Sequence, residues 1–278
     1  MREIKAADIS AAVAQMCMSA NTKLPEDVRK AFENGYKNVT TDAGKEIFRQ
    51  LLENADLSAE TKLPLCQDCG LAIFYVEMGE EVYIPGGLNK AITDGMVAGY
   101  KDGFLRKSSC HPLERKNTGD NTPAIIHVDF VPGDTLKISF MAKGGGSENM
   151  SRVTMLSPSQ GWEGIKKFVV QRVVEAGPNP CPPIILGIGI GGNFEIAPKI
   201  AKKALLRKLG DTHPDPKVAE MEAELLAAVN KLGIGPMGLG GSFTCLGVKI
   251  AMAPCHIASL PLAVNVQCHS SRHEEVEF

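Results

Sequence analysis

The sequence predicts an α+β fold: a helical N-terminal part, then mixed, largely antiparallel sheets with surrounding helices. Three observations carry this. Apolar residues recur at helical spacing over the first sixty positions, the centre changes to strict alternation, and the last third alternates glycine turns with β-like runs. No internal repeat or low-complexity linker interrupts the 278 residues. A single domain over 1–278 is therefore expected, with 1–60 as a helical lead-in and 61–272 as the core.

Ile9, Val13, Met16 and Cys17 form one apolar stripe, the mark of a first amphipathic helix. Pro25 suits the opening turn of a second, with Glu26 and Asp27 favouring its positive end. Thr41 or Asp42 can cap a third, whose Ile47, Phe48, Leu51 and Leu52 face inward. In "AIIHVDFVPGDTLKISF", Ile126, Val128 and Phe130 alternate with His127 and Asp129, then Leu136, Ile138 and Phe140 with Lys137 and Ser139. Joined by Pro132-Gly133-Asp134, these runs predict an antiparallel hairpin. A glycine-rich loop, "AKGGGSENMS", leads to a helix with Trp162, Ile165, Phe168, Val169 and Val173 that stops at Gly177. After a proline-fixed loop, "GPNPCPP", come a short buried strand, a glycine turn and a helix through Leu205. A last helix turns Val218, Met221, Leu225, Val229 and Leu232 inward, and the final "HSSRHEEVEF" reads as a polar tail.

Thirty basic and 32 acidic residues leave a net charge of −2, which gives no electrostatic case for nucleic acid or an anionic membrane. One Trp and four Tyr offer no stacking platform for bases. The charged start "MREIKAADIS" lacks an apolar signal region, and the most apolar stretch, Ile250 to Val266, is broken by Pro254, His256 and Pro261. A cytoplasmic protein is expected, and its eight cysteines are expected as thiols or metal ligands.

"GIGIGG" fits G-x-G-x-x-G at Gly187, Gly189 and Gly192. No acidic residue on a following strand stands where a ribose would need one, so a dinucleotide fold is not supported. "CQDC" (Cys66 to Cys69) lacks the second close ligand pair of a structural zinc and the βαβ setting of a redox dithiol. Cys17 and Cys245 lie on apolar runs and read as core. Cys66, Cys181 and Cys268 stand on loops beside polar residues, as ligands of a soft metal centre would.

Seven stretches occur in order: "LPLCQDCG", "RKNTGDNTPA", "KGGGSEN", "NPCPP", "GIGIGGNFE", "GGSFTCLGVKI" and "PCHIASLPLAVNVQC". From Thr61 to Arg272 the chain resembles the alpha subunit of class I, iron–sulfur fumarate hydratase, in the family shared with L-tartrate dehydratase alpha subunits. The resemblance implies a [4Fe–4S] cluster on Cys66, Cys181 and Cys268, with a fourth iron left to bind substrate. It implies a small dicarboxylate substrate met by Gln67, Asp68, Arg106, Gly145 and His256, with Asp68 and His256 taking part in the chemistry. An arginine can grip a carboxylate bidentately, and a glycine lets a backbone N–H approach an anion closely. The plainer readings are a loop cap for Asp68 and a satisfied structural histidine for His256. Cys69 stands where the family often has Thr, so it is not expected to be a cluster ligand.

One-chain members carry a second domain that completes the substrate site. The resemblance therefore implies a separate beta subunit and an α2β2 assembly interconverting malate and fumarate. L-tartrate dehydration is the nearest alternative, and a non-catalytic zinc or thiol-redox protein built on Cys66 and Cys69 is the alternative of another class.

Overall fold

A computed structural model describes all 278 residues. In chain order the elements are β1 (Arg2–Glu3), α1 (Ala6–Thr22), α2 (Glu26–Asn38), α3 (Asp42–Thr61), β2 (Leu71–Gly79), β3 (Val82–Tyr83), α4 (Leu88–Asp102), β4 (Ile125–Val131), β5 (Leu136–Lys143), the single turn α5 (Gly145–Glu148), β6 (Arg152–Leu156), α6 (Gly161–Ala176), β7 (Ile184–Gly191), α7 (Ile196–Ala204), α8 (Pro216–Asn230), β8 (Cys245–Ala253), β9 (Leu260–Gln267) and β10 (His273–Glu277). The α+β expectation holds, with both parallel and antiparallel pairs. No helix is long and apolar enough to cross a membrane.

The chain forms two compact units. The first comprises Met1–Pro25, Asn54–Gly145 and Arg272–Phe278; the second comprises Glu26–Glu53 and Gly146–Ser271. In the first, one sheet runs β10-β5-β2-β4, antiparallel except for the parallel β2–β4 pair. Helices α1 and α4 pack together, and their Ile9, Val13, Met16, Ile92, Met96 and Tyr100 share a core with Phe74 and Phe140 of the sheet.

The second unit's sheet runs β6-β9-β7-β8, again antiparallel except for one parallel pair, β7–β8. Helices α6 and α8 bury Ile165, Val169, Leu225 and Val229 against Leu186, Ile188, Val264 and Val266. The two sheets share one connectivity. A first strand (β2 or β7) is followed through helix by its parallel partner (β4 or β8). An antiparallel strand (β5 or β9) then returns on the first strand's other edge.

Local signals hold well at helix ends. The Gly44 N–H donates to Thr41 Oγ1 at 3.1 Å, so Thr41 caps α3 as expected, and α6 stops at Gly177, whose N–H reaches the Val173 carbonyl. Three expectations change. First, β4 and β5 do not pair, because β2 lies between them. Residues Ala72–Val76 of β2 are buried, and a strand sunk this deep in a sheet needs partners on both edges. The connection from β4 to β5 passes over the end of β2, where the N–H groups of Gly79, Glu80 and Glu81 donate to the carbonyls of Thr135, Val131 and Gly133. As an outer strand β4 leaves Phe130 70% exposed, against the inward placement its alternation suggested. Second, the polar tail is a strand: β10 pairs with β5 from His273↔Met141 to Glu277↔Lys137. Third, the loop after β5 includes the single helical turn α5.

Gly187 and Gly189 have a packing explanation. An added Cβ would lie 2.0 Å from the Ala201 carbonyl oxygen at Gly187 and 2.1 Å from that of Ala197 at Gly189. Helix α7 is seated directly on the backbone of β7, and only glycine leaves room for it.

Candidate active site

The Cys66–Gly70 loop enters β2, and side chains hold the carbonyls of Leu65 just before it and of Asp68, Cys69 and Gly70 within it. Asn54 Nδ2 donates to Leu65 O at 3.0 Å, Arg272 Nη1 to Asp68 O, Tyr100 Oη to Cys69 O at 2.8 Å, and Asn121 Nδ2 to Gly70 O at 3.2 Å. The Leu65 N–H is taken by Asn21 O at 2.8 Å. On this fixed backbone Gln67 is exposed and Cys66 half-buried, with the Cys66 thiol 3.3 Å from Gln67 Oε1. Cys69 turns the other way and is buried, and burial raises its pKa, so its thiol stays protonated.

Asp68 meets the loop that leaves β5. Its Oδ2 accepts from the Gly145 N–H at 2.7 Å, and its Oδ1 accepts from the Gly70 N–H at 2.9 Å and from Ser108 Oγ at 3.3 Å. Asp68 and Gly145 are thus brought together, and Asp68 is also the loop cap of the plainer reading. Arg106 is exposed on the segment after α4, and its backbone reaches Cys69. Cys66, Gln67, Asp68, Arg106 and Gly145 all belong to the first unit.

In the second unit, Cys181 stands three residues before β7 and Cys268 follows β9 directly. The register Ile185↔Gln267 brings both to the same end of the sheet. His269 ties the two loops, its Nδ1 lying 2.9 Å from the Cys181 carbonyl. A carbonyl can only accept, so the ring carries its proton on Nδ1. The ring also lies against Phe32, with centroids 6.1 Å apart. Cys181 has φ +56° in its proline-bounded turn and an exposed side chain, whereas the Cys268 side chain is partly buried.

His256 is not brought to these cysteines. It lies on the loop from β8 to β9, at the opposite end of the sheet from Cys268. The eight residues of β9 set the two ends about 24 Å apart at ~3.4 Å per residue. Its Nδ1 accepts from the Ala258 N–H at 3.1 Å, which leaves Nε2–H of the neutral ring as an outward donor. The ring lines a cavity of about 390 Å³ with Trp162, Ile165, Met252, Cys255 and Ile257.

The two units use the same topological positions. In each, the loop entering the first strand and the loop leaving the antiparallel strand beside it are hydrogen-bonded neighbours: Cys66–Gly70 with Gly144–Gly145, and Cys181 with Cys268–His269.

The other cysteines sort by burial, since none of the eight is in a disulfide. Burial raises the Cys17 pKa strongly and pushes the Cys245 thiol up to about 12, so both stay protonated in the core. Cys255 is exposed beside His256, its thiol on the Ser259 carbonyl at 3.3 Å. No group of three or more His, Cys, Asp or Glu is gathered to hold a single metal ion. Ligands of a cubane each bind a different iron and stand farther apart than ligands of one ion. Three reachable loop thiols fit such a group in donor chemistry.

A family model described as fumarate hydratase (fumerase) matches residues 10–277. The chain belongs to the fumarate hydratase family. This hydro-lyase family also takes in the most similar relatives found. A protein named "Putative L(+)-tartrate dehydratase subunit alpha" from Methanocaldococcus jannaschii is 43% identical over 272 residues, 95% of each chain. The L(+)-tartrate dehydratase subunit alpha of Escherichia coli strain K12 is 32% identical over 264 residues, 94% of this chain and 87% of that one. Membership of the fumarate hydratase family agrees with the motif order read from the sequence. Sequence reading passed over Arg272, Asn21 and Tyr100, which hold the Cys66–Gly70 loop from below. Arg272 gave no signal of its own, because it stands in a run of polar residues.

Proposed function

We propose that this chain is the alpha subunit of a two-chain iron–sulfur hydro-lyase that interconverts (S)-malate with fumarate and water. The observation that carries the reading is the set of reachable loop thiols, Cys66, Cys181 and Cys268, in a chain matched to the fumarate hydratase family over residues 10–277. These three would hold a [4Fe–4S] cluster. When bound, the cluster supplies a Lewis-acidic iron, free of protein ligands, for the substrate's hydroxyl and adjacent carboxylate.

The chain's own residues bind and orient the dicarboxylate. Exposed Arg106 can take a carboxylate bidentately, and the Gln67 amide can donate beside it. The Gly145 N–H and the Asp68 carboxylate satisfy each other in the free chain, so a substrate anion at Gly145 would compete with Asp68 for that donor. Asp68 would handle the hydroxyl proton, and its two oxygens accept from Gly70, Ser108 and Gly145. In the reaction the C–O bond at the hydroxyl carbon and a C–H bond at its neighbour break, a C=C bond forms, and hydroxide and proton leave as water. No oxidant is needed.

The Nε2–H of His256 is a carboxylate donor, but the length of β9 separates it from Cys268. Within this reading His256 would reach a substrate carboxylate from another copy of the chain, as an α2β2 assembly would allow. The relatives named subunit alpha support a partner chain, and a beta subunit would bring the remaining basic groups and a second-carboxylate site.

A second reading is favoured by the relatives' names: dehydration of L-tartrate to oxaloacetate through its enol. The test is anaerobic co-production with a candidate beta chain, analysis of iron and acid-labile sulfide, and parallel assays on (S)-malate, fumarate and L-tartrate. Iron and sulfide with malate dehydration are expected. Turnover in protein free of iron would refute the reading, and turnover of tartrate alone would select the second.

A further inference from the structure

Arg272 is among the largest fully buried side chains, 1% exposed, in a stretch where every sequence signal is polar. Its Nη1 donates to Asn21 Oδ1 at 3.0 Å and to the Asp68 carbonyl. Its Nε is buried without a hydrogen-bond partner, and the guanidinium makes no ion pair. A buried, unpaired guanidinium is expensive, since it loses water and gains no counter-charge. The carboxylate nearby is that of Asp68, on the far side of Gly144. A Cβ on Gly144 would lie 3.2 Å from Asp68 Oδ2 and 3.3 Å from Arg272 Nη2, so glycine there is what lets the two groups approach.

We infer that Arg272 is a positioning residue for the Cys66–Asp68 turn: it fixes the turn through the Asp68 carbonyl and sets a buried positive charge near the Asp68 carboxylate. Asn21 makes the hold two-sided, because its side chain binds Arg272 while its carbonyl takes the Leu65 N–H just before Cys66. The turn's importance rests on the proposed function; the hold itself does not. The competing explanation is that Arg272 merely pins β10, since its own carbonyl accepts from the Ala142 N–H at 3.0 Å.

Hydrogen exchange on the full chain separates the two, with Arg272→Met removing the charge at similar length and Arg272→Lys keeping it. The Gly70 and Gly145 amides report the turn, because both donate to the Asp68 carboxylate. Residues 136–143 and 273–277 report the β5–β10 pair. In Arg272→Met the two glycine amides are expected to exchange faster by about tenfold or more, the scale of one charge-assisted hydrogen bond. The β5–β10 amides are expected to stay protected, and Arg272→Lys to restore part of the glycine protection. In the complex with its partner chain, Arg272→Met should lower kcat while leaving KM within about threefold, as for a group that organises the reacting side chains. Unchanged Gly70 and Gly145 exchange overturns the inference, as does a parallel loss across the turn and β5–β10. If Arg272→Met does not fold, the same comparison on Arg272→Lys decides. A wild-type complex without hydro-lyase activity would refute the proposed function and leave the exchange result standing.

Discussion

Single residues divide into those whose chemistry was legible and those whose neighbours had to be seen. Cys66, Cys181 and Cys268 were singled out as loop thiols beside polar residues, against Cys17 and Cys245 on apolar runs, and the structure buries Cys17 and Cys245 but not the other three. Serine at position 66, 181 or 268 is expected to abolish bound iron in anaerobically prepared protein, whereas Cys17→Ser and Cys245→Ser keep it; iron and sulfide analysis checks this. A full cluster in Cys181→Ser would remove that residue from the ligand set. Arg106→Lys should raise KM by about tenfold at little change in kcat, because an ammonium cannot reproduce a bidentate grip. Steady-state kinetics on malate measures it, and an unchanged KM would take Arg106 out of the binding site. The Asp68–Gly145 pairing was not legible, since 77 positions separate the two. Arg272 was hidden for another reason. Nothing in "HSSRHEEVEF" says that an arginine among polar residues will be buried.

At the scale of elements, periodicity located α1, α2, α3, α6, α7 and α8 because helical signals are local, but it passed over α4 (Leu88–Asp102). Caps at Thr41 and Gly177 sit where they were read. The hairpin failed for a reason that local reading cannot see. Two alternating strands joined by Pro-Gly-Asp look the same whether they pair directly or admit β2 between them, and only the burial of β2 decides. The glycine-rich strand shows the converse case, a local pattern with a non-local cause. Gly187 and Gly189 mimic a nucleotide loop yet serve the close seat of α7 on β7. Gly189→Ala is therefore expected to destabilise the protein by ~3 kcal/mol, at the upper end for overpacking against unyielding backbone. Urea unfolding would show it, and a change below ~0.5 kcal/mol, the range of a harmless surface substitution, would mean that α7 can lift away without penalty.

For the whole molecule, the separation of His256 from Cys268 makes a prediction about mixtures. His256→Ala and Cys268→Ser chains, each inactive alone with the beta chain, should regain activity when co-assembled. On the proposed reading, a mixed pair would contain one site with an intact cluster pocket and an intact donor from the other copy. Absence of any recovery in demonstrably mixed assemblies would place His256 outside the site. Purified, cluster-replete alpha chain alone should not dehydrate malate; turnover equal to that of the two-chain complex would show that no beta subunit is needed. The order of strands in the two sheets carries a different message. One path, β2–β4–β5 and β7–β8–β9, is drawn twice in a chain whose sequence shows no repeat, and both drawings place polar or thiol-bearing loops at the same rim. Connectivity, rather than residue identity, is what recurs in this chain: one path of strands carries two unrelated sets of side chains.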